Sequence, residues 1–177
     1  MPLQEIELVI TVPEPYGTSL AYRTRCRTTL GVLTQLLAQS REHVIIAAPF
    51  MQAGHGLSDG PLAIAFRSAL GRGVQVDVVS SGLSLFTLDR DRLEQEAFGC
   101  LRFFRPAPNL LDDQRLGSHA KFCVADGESA YVGSANLTSP GLARQMEMGL
   151  LVHGQIARSI FDFWIQMIEI GFFVEIV

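Results

Sequence analysis

Two short runs, Val44–Ala48 and Val74–Ser80, are apolar or nearly so on both faces rather than on alternate residues. A strand of that kind must be covered above and below. Between them, Pro61 to Leu70 has the spacing of a helix, closed by Gly71 and Gly73. The same cadence runs outward. Glu5 to Val12 alternates Ile6, Leu8, Ile10 and Val12 against other residues, which predicts a first strand ended by Pro13 and Pro15. Leu30, Leu33, Leu36 and Leu37 predict a helix from about Thr28 to Arg41, capped by Thr28 or Thr29. A charged helix over Leu88–Phe98 and a strand over Leu101–Arg105 follow. The expected fold is α/β, a mixed, mostly parallel sheet flanked by helices on both faces, built as one domain over residues 1–177.

Polar and small residues concentrate in Ser118–Thr138. His119 to Ala125 predicts a strand in which His119, Lys121 and Cys123 share one side while Ala120, Phe122 and Val124 face a core. Asp126-Gly127 predicts a tight hairpin, and Ser129–Val132 runs back, so that Gly133, Ser134 and Asn136 arrive beside His119. Gly133 permits a close backbone approach. Ser134 and Asn136 bring a hydroxyl and an amide to an expected helix start, where free N–H groups attract anions. Of the 14 basic residues all but Lys121 are Arg, so a compact ammonium sits beside the imidazole in a chain that otherwise uses guanidinium. Two proton-bearing heads side by side suit a phosphodiester.

These residues resemble the signature of the phospholipase D superfamily: His-x-Lys, four residues, Asp, six residues, Gly-Ser-x-Asn. His119, Lys121, Asp126, Gly133, Ser134 and Asn136 fill every fixed position at the required spacing. By average residue usage, that set arises in on the order of one unrelated chain in a million. The resemblance implies a three-layer sandwich and phosphodiester cleavage with neither a metal nor another cofactor. It also implies a Glu, in an N-x-E-x-G-like strand just downstream, that hydrogen-bonds the catalytic His. Glu147, alone in the apolar strand Met146–Val152, matches it, with Gln145 in place of the usual Asn. Family members with two motifs supply both histidines from one chain, so a single motif implies a homodimer. His119 of one subunit then attacks phosphorus to give a phosphohistidine, and the second His119 protonates the leaving oxygen. Lys121 and Asn136 hold the non-bridging oxygens, Gly133 and Ser134 bind substrate, Glu147 fixes the ring tautomer, and Asp126 is structural.

Single-motif members of the family are mostly bacterial nucleases, including the phospholipase D-like component of phage-defence loci, to which Arg72-Gly73-Val74 and the lead into the motif look similar. The expected function is therefore a metal-independent nuclease acting on DNA or RNA. The alternatives are a phospholipid-active phospholipase or phosphatidyltransferase, and a weakly catalytic nucleic-acid-binding subunit of a defence or repair complex.

Composition sets bounds. A hydrophobic content of 48% with 18% charged residues leaves room for a buried subunit interface. No apolar run approaches the roughly 20 residues that span a bilayer, and MPLQEIELVITVPEP lacks a basic leader, so a cytoplasmic protein without a membrane partner is expected. A net charge of −4 argues against non-specific nucleic-acid binding at high salt. Arg23, Arg25 and Arg27 would line one side of an extended piece and offer a local phosphate-backbone contact. Cys26, Cys100 and Cys123 read as free thiols, and no residue cluster has metal spacing. His55, in a Gly-rich loop, reads as a bystander. Pro106–Gly117, with Asp112, Asp113 and Arg115, reads as a lid or interface arm, and Ile156–Ile168 as an amphipathic helix. The closing GFFVEIV reads as an edge strand or a subunit contact.

Overall fold

The computed structural model describes residues 6–51, 60–81, 85, 101–111 and 117–176. Expectations for His55, Cys100, the charged helix Leu88–Phe98 and the acidic stretch with Asp112, Asp113 and Arg115 fall outside the described residues.

The described strands form one nine-stranded sheet. In chain order they are β1 (Glu7–Thr11), β2 (Arg27–Thr28), β3 (His43–Ala47), β4 (Gln75–Val79), β5 (Leu101–Pro106), β6 (Phe122–Ala125), β7 (Ser129–Gly133), β8 (Glu147–His153) and β9 (Phe173–Glu175). They lie in the spatial order β2-β1-β8-β7-β6-β3-β4-β5-β9. The α-helices among the described residues are α1 (Tyr16–Thr24), α2 (Thr29–Gln39), α3 (Gly60–Gly71) and α4 (Gln155–Glu169).

The fold class is the expected mixed α/β one. The two apolar runs are the central strands β3 and β4, parallel to each other as their two-sided patterning requires, and β5 continues the parallel set. The balance of pairing differs from the expectation, however. Among the described strands only β1–β2, β3–β4 and β4–β5 are parallel, and the other five neighbours are antiparallel. The tight β6–β7 hairpin can only be antiparallel, and β1–β8, β3–β6, β5–β9 and β7–β8 add to that side.

Alternation divides the core into two layers. Val44, Ile46, Val76, Val78, Cys123 and Leu151 point to α2 and α3, while Ile45, Ala47, Val124, Ala130 and Val152 point to α4. Thr28 caps α2, its hydroxyl accepting from Gly31 N at 3.3 Å. Trp164 of α4 anchors the second layer between Phe122 (ring centroids 4.6 Å apart) and Phe173 (4.5 Å). GFFVEIV does supply an edge strand, β9 on β5. The Cys123 thiol is fully buried and burial pushes its pKa up to about 12, so it is an inert core group. Among the described residues no helix is long and apolar enough to cross a membrane.

One local expectation is corrected. Arg23, Arg25 and Arg27 do not share an extended face. Arg23 lies in the last turn of α1, Arg25 is its left-handed cap (φ 55°), and Arg27 opens β2 and bonds Glu7 and Gln35. Downstream of the motif, Pro140–Arg144 forms one π-helical turn.

Asp126 and Gly127 both take positive φ (56° and 63°) in the β6–β7 turn. The Asp126 carboxylate there accepts from three consecutive backbone N–H groups, those of Arg41, Glu42 and His43, at 2.9, 3.0 and 2.9 Å. It ties the entry of β3 to the hairpin. Asp126→Ala is expected to cost about 2–3 kcal/mol, seen as a lower denaturant midpoint, with the specific activity of the folded fraction unchanged.

Candidate active site

The motif residues lie at the end of the sheet where β3 leaves and β6 begins. The β3–β6 register pairs Ala47 with Phe122. The ladder starts only at Phe122, so His119, Ala120 and Lys121 lead into the strand rather than forming part of it. The alternation persists nonetheless. Lys121 sits above the layer that holds Cys123, while Ala120 faces the opposite side with Phe122.

His119 is exposed and Lys121 is only 8% exposed. Lys121 Nζ lies 3.0 Å from His119 Nδ1 and donates to the His119 carbonyl at 3.1 Å. The ammonium is thus folded back onto the imidazole, leaving Nε2 as the outward nitrogen. Burial pulls the Lys121 pKa below the ordinary lysine range, and the Glu147 charge opposes that shift.

Gly133, closing β7, is bracketed by its neighbours. Its N–H bonds the Lys121 carbonyl at 3.1 Å, and a Cβ there would stand 2.9 Å from the Met148 carbonyl oxygen and 2.7 Å from the Tyr131 ring. Only glycine lets the turn pass this close to β8. Ser134 is then pinned to β8 twice, with its N–H on the Met148 carbonyl at 3.0 Å and its hydroxyl accepting from Met148 N at 3.1 Å.

That hydroxyl donates to Glu147. The expected Glu147–His119 bond is not formed within the chain. The register that faces Gly133 with Gly149 holds Glu147 beside Ser134, and His119 Nδ1 is taken by Lys121. Glu147 acts on Lys121 through its charge. Nor do Ser134 and Asn136 open a helix. The chain crosses them irregularly before Leu137 bridges to Met51. The Asn136 Oδ1 is buried without a hydrogen-bond partner.

The structure therefore gathers His119, Lys121, Gly133, Ser134, Asn136 and Glu147 at one end of the sheet and leaves Asp126 at the other end of β6. Among the described residues no three His, Cys, Asp or Glu side chains are grouped as a metal site.

Two further features were not read from the sequence. The rings of Phe50 and His119 stand nearly perpendicular, centroids 6.4 Å apart. On the α4 side, Phe122, Val132, Leu150 and Leu8 are successive cross-strand partners on one face of the sheet. Of these only Phe122 is covered. Val132, Leu150 and Leu8, with Met148 and Ile6, are each 41–53% exposed and leave an apolar strip. A groove of about 450 Å³ separates the strip from α4, lined by Ala120, Phe122, Val132, Ile156, Phe163 and Trp164 among others.

The sequence profile of the family described as "Cardiolipin synthase, PLD-like domain" matches residues 33–168. No curated protein sequence matches the chain significantly. Among solved structures it is similar to Nuc from Salmonella typhimurium, described as a phospholipase D family member (TM-score 0.65, 12% identity, 98% of each chain covered). It is also similar to NucT from Helicobacter pylori (TM-score 0.63, 18% identity, 93% of this chain and 97% of that one). Phosphatidylserine synthase from Haemophilus influenzae Rd KW20 matches at TM-score 0.68 and 12% identity, over 99% of this chain but 41% of that one.

Proposed function

The chain belongs to the phospholipase D-like domain family, whose members are phosphodiesterases, and from that premise we propose that it is a metal-independent nuclease working as a homodimer. The observation that carries the reading is the buried Lys121 folded onto an exposed His119, with Asn136 in the turn that Gly133 and Ser134 hold in place.

In the proposed reaction, His119 Nε2 of one subunit attacks phosphorus, forming an N–P bond as the P–O bond to the leaving group breaks. His119 of the partner subunit gives its Nε2 proton to the departing oxygen. That imidazole then takes a proton from water, whose oxygen displaces the histidine and breaks the N–P bond. Lys121 and Asn136 offset the charge that builds on the non-bridging oxygens.

Attack needs an Nε2 lone pair and donation to the leaving group needs an imidazolium, so the two rings of a shared site start in different protonation states. Support for pairing comes from the apolar strip. It starts at the site, since Met148 bonds Ser134 Oγ and Val132 precedes Gly133, and it offers a second copy a surface to cover.

A lipid-active phosphatidyltransferase is the second reading, favoured by the apolar groove at Ala120. The test is incubation with plasmid, single-stranded DNA, RNA and phosphatidylcholine vesicles in EDTA, with His119→Ala alongside. Cleavage of nucleic acid by the parent alone is the expected result. Hydrolysis confined to lipid would replace the nuclease with the second reading.

A further inference from the structure

Extending the β3–β6 register past the ladder, from Ala47 opposite Phe122, puts Phe50 opposite His119 on the Lys121 side of the sheet. The rings meet there edge to face at 6.4 Å and 82°. Phe50 is 44% exposed, so the core does not explain it. Its flanks are fixed. The Pro49 carbonyl accepts from the buried hydroxyls of Ser80 and Ser81 at 3.1 and 2.5 Å, and Met51, 2% exposed, bridges to Leu137 in the turn that carries Asn136. An exposed aromatic ring is thus held on a rigid stalk beside the proposed nucleophile.

We propose that Phe50 is the platform on which an unpaired nucleobase of the substrate stacks while the adjoining phosphodiester lies at His119. The inference rests on the nuclease reading and deepens it. A base paired in a duplex has both faces covered by its neighbours, whereas an unstacked base presents a π-face that an aromatic ring takes with little regard to sequence. The chain's net charge of −4 gives it little general attraction for duplex backbone. A stacking contact beside the site supplies grip that does not depend on charge, and the substrate class it selects is single-stranded nucleic acid.

Steady-state kinetics of the dimeric protein, Phe50→Ala and Phe50→Trp decide the matter, on a short single-stranded oligonucleotide and on its counterpart with abasic residues. The expected result is a KM for the base-bearing strand raised about tenfold or more in Phe50→Ala. Its kcat should stay within about twofold, Phe50→Trp should restore KM, and the variants should not differ on the abasic strand. A kcat loss equal on both strands would mean that the ring only orients His119 and would overturn the proposal. Unchanged KM on every strand with an active parent would overturn it alone. An inactive parent on all nucleic acids would overturn the nuclease reading and this one with it.

Discussion

Mixed with an equal amount of His119→Ala protein and allowed to exchange subunits, the mixture is expected to show about one quarter of the parent's activity per unit of total protein rather than one half. On the proposed mechanism each shared site needs a nucleophile from one subunit and a proton donor from the other, so a dimer with a single His119 would be inactive. Random exchange then leaves active dimers at the square of the parent fraction. Homodimeric His119→Ala alone should lose about four orders of magnitude or more in kcat, because it removes the nucleophile and the acid together. The titration with excess variant is the sharper measurement. Activity that falls linearly with the parent fraction would show that each chain works independently, and the shared-site mechanism would fail. A curve that follows the square supports it and does not depend on the residual rate of the variant.

The sequence carried the motif and the central layer because both rest on short-range rules. Buried strands β3 and β4 had to be apolar on both faces, and their patterning predicted parallel partners within a residue or two of where they lie. Asp126-Gly127 predicted the hairpin because its two residues accept positive φ. The failures came where tertiary contacts overrode local pattern. α1 buries none of its residues, so it has no apolar stripe to read, and the arginines around it looked extended. Glu147 was expected at the imidazole, but its neighbour is decided by the β7–β8 register, which no periodicity reports. Phe50 carried no signal of its own in the sequence. Its meaning appears when two strands distant in sequence pair and set it across from His119.

The same kind of blindness hid Asp77, a carboxylate on β4 that is 0% exposed. Arg102 grips it with Nε and Nη2 at 2.9 and 2.8 Å, His43 Nε2 reaches it at 2.9 Å, and Gln75 donates at 3.3 Å. Phe161 of α4 closes over His43, ring centroids 5.1 Å apart. Burial alone would raise the Asp77 pKa, but hydrogen bonds and charge from His43 and Arg102 outweigh it and hold the carboxyl below the ordinary range. A depressed folded-state pKa means that the stabilisation is complete above the unfolded value of about 3.9 and is lost as pH falls through the folded value.

Asp77→Ala at neutral pH strands the Arg102 and His43 heads on the sheet, at an expected cost of about 3–5 kcal/mol, or a melting temperature lower by about 6–20 °C in a chain of this size. The difference between parent and variant should narrow as pH drops below about 4, since protonation then removes from the parent the same charge that the substitution removes. A gap of constant width from pH 7 downward would mean that packing rather than charge holds this network. Removing all three polar groups, in Asp77→Leu with His43→Leu and Arg102→Met, should be milder than removing the carboxylate alone, because no buried charge is then left without its counterpart.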